Sequence, residues 1–258
     1  MTLFTVHAVP VLEDNYVWLL QANGSQSVIV IDPGDAEPVI AFIRQQNLVP
    51  VAILVTHHHY DHVDGIQPFL AQYPAPIFGP DGESIPGMTQ PLSATDNLSI
   101  HADFPDCRVI AVPGHTHGHI AYKINDCLFC GDTLFAAGCG RLLGGTHAQL
   151  LASLKDISTL PLETKIYCAH EYTVANLKFA RTVEPDNIET QQRLRHVTQL
   201  RAQGHITLPS TLALELTTNP FLRCHEPAVI KAVEQHISQC LSDELAVFTA
   251  LRQWKDSF

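Results

Sequence analysis

The chain has 258 residues, 46% of them apolar and 16% charged, with a formal net charge of −11. That length and composition suit one large domain, or one domain with a smaller appendage, whose core needs no disulfide to hold it. The acidic balance argues against nucleic acid or an anionic membrane as the main partner, and no apolar run approaches the roughly 18 residues that a bilayer span requires.

Taken in chain order, the opening "MTLFTVHAVP" carries no basic region followed by a long apolar stretch, so no secretory leader is read there. "SVIVIDPGD" (27–35) is a strand ended by an Asp-Pro-Gly turn. Helical spacing over 36–47 and a return to strand at 51–55 complete a β-α-β unit, in which the loops after strand ends commonly carry function. The turn-rich "PDGESIPGMTQP" (80–91) is expected as a surface excursion. Further strands are expected at 107–112, 119–124, 127–130 and 165–169.

Beyond 170 the texture becomes helical, with apolar residues at helical period over 173–183, 188–204 and 227–237. Gly204 suits a helix stop, and Asp243 can open a last helix toward Trp254. The expected organisation is a β-containing sandwich over 1–170 followed by a helical part over 171–258. Seven cysteines, an odd number scattered along the chain, argue for a reducing, cytoplasmic setting rather than a disulfide framework. Cys127 and Cys130 read C-x-x-C, but in the apolar string "CLFCGD" they are expected as buried free thiols.

Histidine is the compositional outlier, at 15 residues of 258. "THHHYDHVDG" (56–65) follows the apolar run 51–55. On extended backbone His57 and His59 face one side and His58 the other, and Asp61 and His62 come where the chain turns toward a helix near Ile66. His115 follows the strand 107–112, Asp132 the strand 127–130 and His170 the strand 165–169. Four strand ends thus present five histidines and two aspartates. If those ends converge, they supply ligands for two divalent ions. Imidazole and carboxylate without thiolate suit an open zinc, iron or manganese site. His58 and His117 are read as bystanders, and His119 as a support for the site.

These residues resemble the metallo-β-lactamase fold hydrolases, whose signature T-H-x-H-x-D-H with separate His, Asp and His appears here as "THHHYDH", "GHTHGH", "CGD" and "AHEY". The resemblance implies an α/β fold, an αββα sandwich with a C-terminal α-helical domain. It assigns His57, His59 and His115 to one metal, and Asp61, His62 and His170 to the other, with Asp132 bridging. Within that superfamily "EDNYVWLL", "IDPGDAEPV", "CGDTLFAAGCGRL", "AHEYTVANLKFARTVEPDN" and the closing "LRQWKDSF" are similar to the glyoxalase II, or hydroxyacylglutathione hydrolase, family.

That similarity implies hydrolysis of the thioester S-D-lactoylglutathione to D-lactate and glutathione by a metal-bridging hydroxide. Asp132, Asp61 and His59 are then the catalytic set, with zinc first among the metals. It makes Arg141, Tyr172, Asn176, Arg252 and Lys255 candidates for holding glutathione, whose carboxylates and amides suit such partners. It also implies a monomer with a small-molecule substrate. The alternative is a mononuclear non-haem iron dioxygenase of glutathione persulfide on the same fold. The intact second set Asp61, His62 and His170 and the helical C-terminus weigh against it. Two positions depart from the family pattern: Leu143, where some relatives carry an aromatic residue, and Asp64, where the pattern has glycine.

Overall fold

The computed structural model describes residues 3–93 and 96–258. Met1 and Thr2, which head the stretch read as leaderless, and Ala94 and Thr95 lie outside them. The chain divides into two compact units, one of residues 1–111 and 118–131, the other of 112–117 and 132–258.

The first unit carries a sheet in which β1 (Phe4–Val11), β2 (Asn15–Ala22), β3 (Ser27–Ile31), β4 (Val49–Leu54), β5 (Ile77–Pro80) and β6 (Gln90–Leu92) lie in that order. β1, β2 and β3 run antiparallel, and from β3 to β6 the pairing is parallel. The change is dictated by α1 (Ala36–Gln46), because a parallel return needs a crossover connection. Asp35 caps α1 by accepting from the Glu37 amide, and Asn47 closes it in the left-handed conformation. Val39, Ile40 and Ile43 bury its inner face. After β4 come the short helices α2 (Tyr60–Val63) and α3 (Ile66–Leu70).

Four more strands of the first unit, β7 (Asn97–Leu98), β8 (Cys107–Ala111), β9 (Ile120–Ile124) and β10 (Cys127–Gly131), form an antiparallel meander. Tyr122 of β9 is fully buried, and its hydroxyl donates to the Val55 carbonyl at 2.7 Å, just past β4. Cys127 and Cys130 are buried free thiols, as read from their apolar setting. The stretch 80–91 is largely exposed, the surface excursion expected of it, but it is anchored. Ile85 is buried in the same core cluster as Ile66 and Phe69 of α3, and Glu83 turns its side chain inward. Its polar, turn-forming composition hid one apolar anchor and one buried acid.

The second unit holds the hairpin β11 (Leu134–Phe135) and β12 (Gly138–Cys139), then α4 (His147–Ser158), β13 (Lys165–Cys168), α5 (Thr173–Val183) and α6 (Ile188–Ala202). β14 (Ser210–Thr211), α7 (Leu212–Thr218), α8 (Pro227–Ile237) and α9 (Glu244–Asp256) complete it. Gly204 follows α6 with φ +76°, the stop expected of it. Asp243 caps α9, accepting from the Ala246 amide at 2.9 Å. The hairpin β1–β2 and helix α4 were not anticipated. α4 starts on a capping box of Thr146 and Gln149, a spacing that marks a helix start.

Candidate metal centre

In the first unit the chain leaves β4 through Val55, bends at Thr56 and reaches His59 in an extended conformation, with φ and ψ of −63° and 147°. Alternation then separates the three histidines. His57 is fully buried and lies against His59, with Nε2 of one 3.0 Å from Nδ1 of the other. His58 points elsewhere, onto Glu83. One turn of α2 brings His62 under His57, ring centroids 4.1 Å apart. Asp61 sits beside His62 and accepts from the Asn15 amide nitrogen at 3.0 Å.

The hydrogen bonds behind these rings determine which nitrogen carries a lone pair. Asp32, buried at the end of β3 with φ +52°, accepts from the Thr56 amide and the Thr56 hydroxyl, each at 2.7 Å. Its Oδ2 also lies 3.0 Å from His62 Nδ1. A carboxylate only accepts, so His62 Nδ1 carries the proton and Nε2 the lone pair. The Thr56 hydroxyl proton is spent on Asp32, so His57 Nδ1, 3.0 Å from that oxygen, donates to it. His57 Nε2 is therefore a lone-pair donor as well. A single carboxylate fixes both tautomers, the arrangement commonly found behind metal-binding imidazoles.

The second unit repeats the logic. His115, Asp132 and His170 are all buried. His115 Nδ1 lies 2.7 Å from the Arg141 carbonyl and must donate to it. Its Nε2 then faces Asp132 Oδ2 at 3.4 Å, while His170 Nε2 lies 3.3 Å from Asp132 Oδ1. In the first unit His62 Nε2 similarly faces Asp61 Oδ2 at 3.6 Å. A ring nitrogen this close to a carboxylate oxygen calls for positive charge at that point, from a proton on the imidazole or from a cation between the two. The donor set, neutral imidazole and carboxylate with no thiolate, suits a divalent cation. Tyr172 stacks flat on His170, centroids 4.8 Å apart and planes 3° from parallel, and the Phe135 ring meets both edge-on.

The candidates for glutathione separate into two kinds. Arg141, Arg252 and Lys255 gather near one carboxylate, Asp256, which lies 3.5 Å from Arg141 Nε and 3.0 Å from Arg252 Nη2. Arg252 is only 3% exposed, its Nη1 donating to the Cys139 carbonyl at 2.9 Å and its guanidinium lying over Phe221. Lys255 is half-buried over Phe179 and Phe258. Burial, then the charges of Arg252 and Arg141, hold its ammonium below the ordinary lysine range. Asn176 is buried and donates to the Ala136 carbonyl at 3.1 Å, so it braces the β11–β12 turn. Sequence reasoning missed Asp32, Thr56, Asn15, Glu83 and Asp256. Of these only Asp32 carried a signal, an acid placed directly after a strand in "IDPGD".

Comparison with known proteins agrees with this chemistry. The family model described as "Metallo-beta-lactamase superfamily" matches residues 11–96 and 108–170, and "Hydroxyacylglutathione hydrolase C-terminus" matches 171–258. The crystal structure of TTHA1623 in a di-iron-bound form is similar at TM-score 0.60 and 26% identity, covering 84% of this chain and 100% of that one. Fold and donor set together define a metallo-β-lactamase-fold hydrolase. The chain is 49% identical over 98% of its length to the hydroxyacylglutathione hydrolase of Nitrosomonas eutropha, covering 98% of that protein. It is 50% identical over 96% of its length to that of Alkalilimnicola ehrlichii, covering 97% of that protein. It belongs to the hydroxyacylglutathione hydrolase family.

Proposed function

We propose that the chain hydrolyses S-D-lactoylglutathione, and related 2-hydroxyacyl thioesters of glutathione, to the free hydroxy acid and glutathione. The observation that carries this reading is kinship along the whole chain, helical C-terminal part included, with proteins named for that activity. Residues 1–170 serve as the catalytic part and 171–258 as the part that binds glutathione, a division that follows the bounds of the two family models.

Seven side chains hold two divalent ions, zinc first among them: His57, His59 and His115 for one, Asp61, His62 and His170 for the other, with Asp132 shared. The support is the donor chemistry, with His57 lying against His59 and His62 in one unit and Asp132 facing His115 and His170 in the other. When bound, such ions supply a water acidified toward neutral pH and a Lewis acid for the thioester carbonyl. Asp132 orients the attacking water by accepting one of its protons in a hydrogen bond, and Asp61 and His59 hold the geometry around it. Thiolate is a good leaving group and departs without a proton donor, so no serine or cysteine nucleophile is needed. Arg141, Arg252 and Lys255 pair with the carboxylates of the tripeptide, and Tyr172 lines the approach beside His170. The chain acts as a monomer in the reducing cytoplasm, a setting that suits its seven free thiols.

The test is thioester loss measured beside metal content on the same sample. Asp132→Ala is expected to lose bound metal and to lower turnover by more than the roughly 10–100-fold that loss of an outer partner costs. Two tightly held ions with near-normal turnover in that variant would sink the assignment.

A further inference from the structure

Glu83 lies in the stretch 80–91, distant in sequence from the proposed ligands, and its side chain is only 3% exposed. Its Oε2 accepts from the His58 amide at 2.7 Å and lies 2.7 Å from His58 Nδ1. Its Oε1 accepts from the Gly118 amide at 3.1 Å. Burying a carboxylate is costly unless it is satisfied, and these contacts satisfy it on two separate loops. The His58 N–H it grips belongs to the peptide joining His57 to His58, one residue before His59. On extended backbone that one peptide sets the direction of His57 and, by alternation, of His59.

The second grip has a similar consequence. Gly118 immediately precedes His119, whose Nδ1 lies 3.1 Å from the Ile120 carbonyl. The His119 ring stacks on His57 at 4.5 Å and 19°. A Cβ at position 118 would come within 2.5 Å of Glu83 Cγ, so glycine here is what lets the acid reach both amides. The exposed ring of His58, 44% accessible, only adds a donor to a tie that the backbone already makes.

We propose that Glu83 is a positioning residue for the metal centre, a buried carboxylate clasp that holds the His57–His59 segment and the Gly118–His119 segment in register. This rests on the reading that His57 and His59 bind metal. Glu83→Gln keeps the volume but turns one acceptor into a donor facing an amide N–H, so one grip is lost.

The test uses the full-length zinc-loaded chain and transfer of zinc to a chromophoric chelator. Glu83→Gln is expected to weaken zinc binding by about tenfold to a hundredfold, and His58→Ala by less than about threefold. Cobalt-substituted Glu83→Gln should also show altered visible absorption bands, which a loss of stability alone would not produce. Gly118→Ala, which pushes the acid from its seat, provides the same readout should Glu83→Gln fail to fold. Zinc affinity within about twofold of the unsubstituted chain in both variants overturns the proposal. So does an unsubstituted chain that binds no zinc, which removes the metal reading as well. Weakened zinc in Glu83→Gln within a chain that cleaves no thioester upholds the clasp and sinks only the hydrolase reading.

Discussion

At Asp64 the family pattern has glycine, and the structure explains why the aspartate is tolerated. Asp64 is exposed, with ordinary right-handed angles at the end of α2. The neighbouring Gly65 is the constrained position, because a Cβ there would lie 2.4 Å from the Pro33 carbonyl. Leu143 is likewise exposed, so the missing aromatic leaves no hole in the core. Lys255 is the residue whose environment predicts a pH effect. Its ammonium is held below the ordinary lysine range, so it gives up its proton earlier on the alkaline side than a solvated lysine. KM for an anionic glutathione thioester should therefore rise with pH before the ordinary lysine range is reached. Lys255→Arg, charged throughout, should flatten that rise. A wild-type KM constant through that range would show that Lys255 does not bind the substrate as a cation.

Among the elements, the β11–β12 hairpin links Asp132 to Arg141, and a buried polar network holds its turn. Glu215 of α7 accepts from the Ala137 amide at 2.7 Å and pairs with Arg193 of α6 at 2.6 Å. Asn219 donates to the Phe135 and Gly138 carbonyls of the same hairpin. Ala137 has φ +55°, a conformation that costs a non-glycine residue and persists only where the surroundings impose it. Glu215→Ala would leave the buried Arg193 guanidinium without its counter-ion, at a cost of about 3–5 kcal/mol. Denaturant unfolding checks the size, and a loss below about 1 kcal/mol would mean that solvent compensates the charge. Periodicity could reveal α5 and α8, whose apolar faces repeat, while α6 buries Thr190 and Arg193 beside Leu194 and Val197 and α9 is announced by its Asp243 cap. Periodicity could not reveal a two-residue hairpin strand, whose existence depends on one acceptor, Glu215, and one donor, Asn219, distant in sequence.

For the whole molecule, the proposed ligands, spread from position 57 to position 170, would tie metal binding to folding. An ion bound only by the folded chain stabilises it by about 2.7 kcal/mol at a hundredfold excess over its Kd. Chelation is therefore expected to lower Tm and added zinc to restore it; a Tm indifferent to both would count against the proposed centre. Much of this protein was legible in its sequence. Strand ends after apolar runs, a His/Asp signature at a spacing that alternates faces, and helical period beyond residue 170 are local properties, set by backbone geometry. The sequence alone thus determined the donor chemistry and the order of the main elements. Only tertiary structure decided which ring nitrogen of His57, His62 and His115 is taken up by a hydrogen bond behind it. It also decided that Asp32 and Glu83 stand behind the ligand loop, and that one carboxylate, Asp256, serves two arginines. Those outcomes depend on groups distant in sequence meeting at hydrogen-bond range with water excluded, and no local pattern encodes such a meeting.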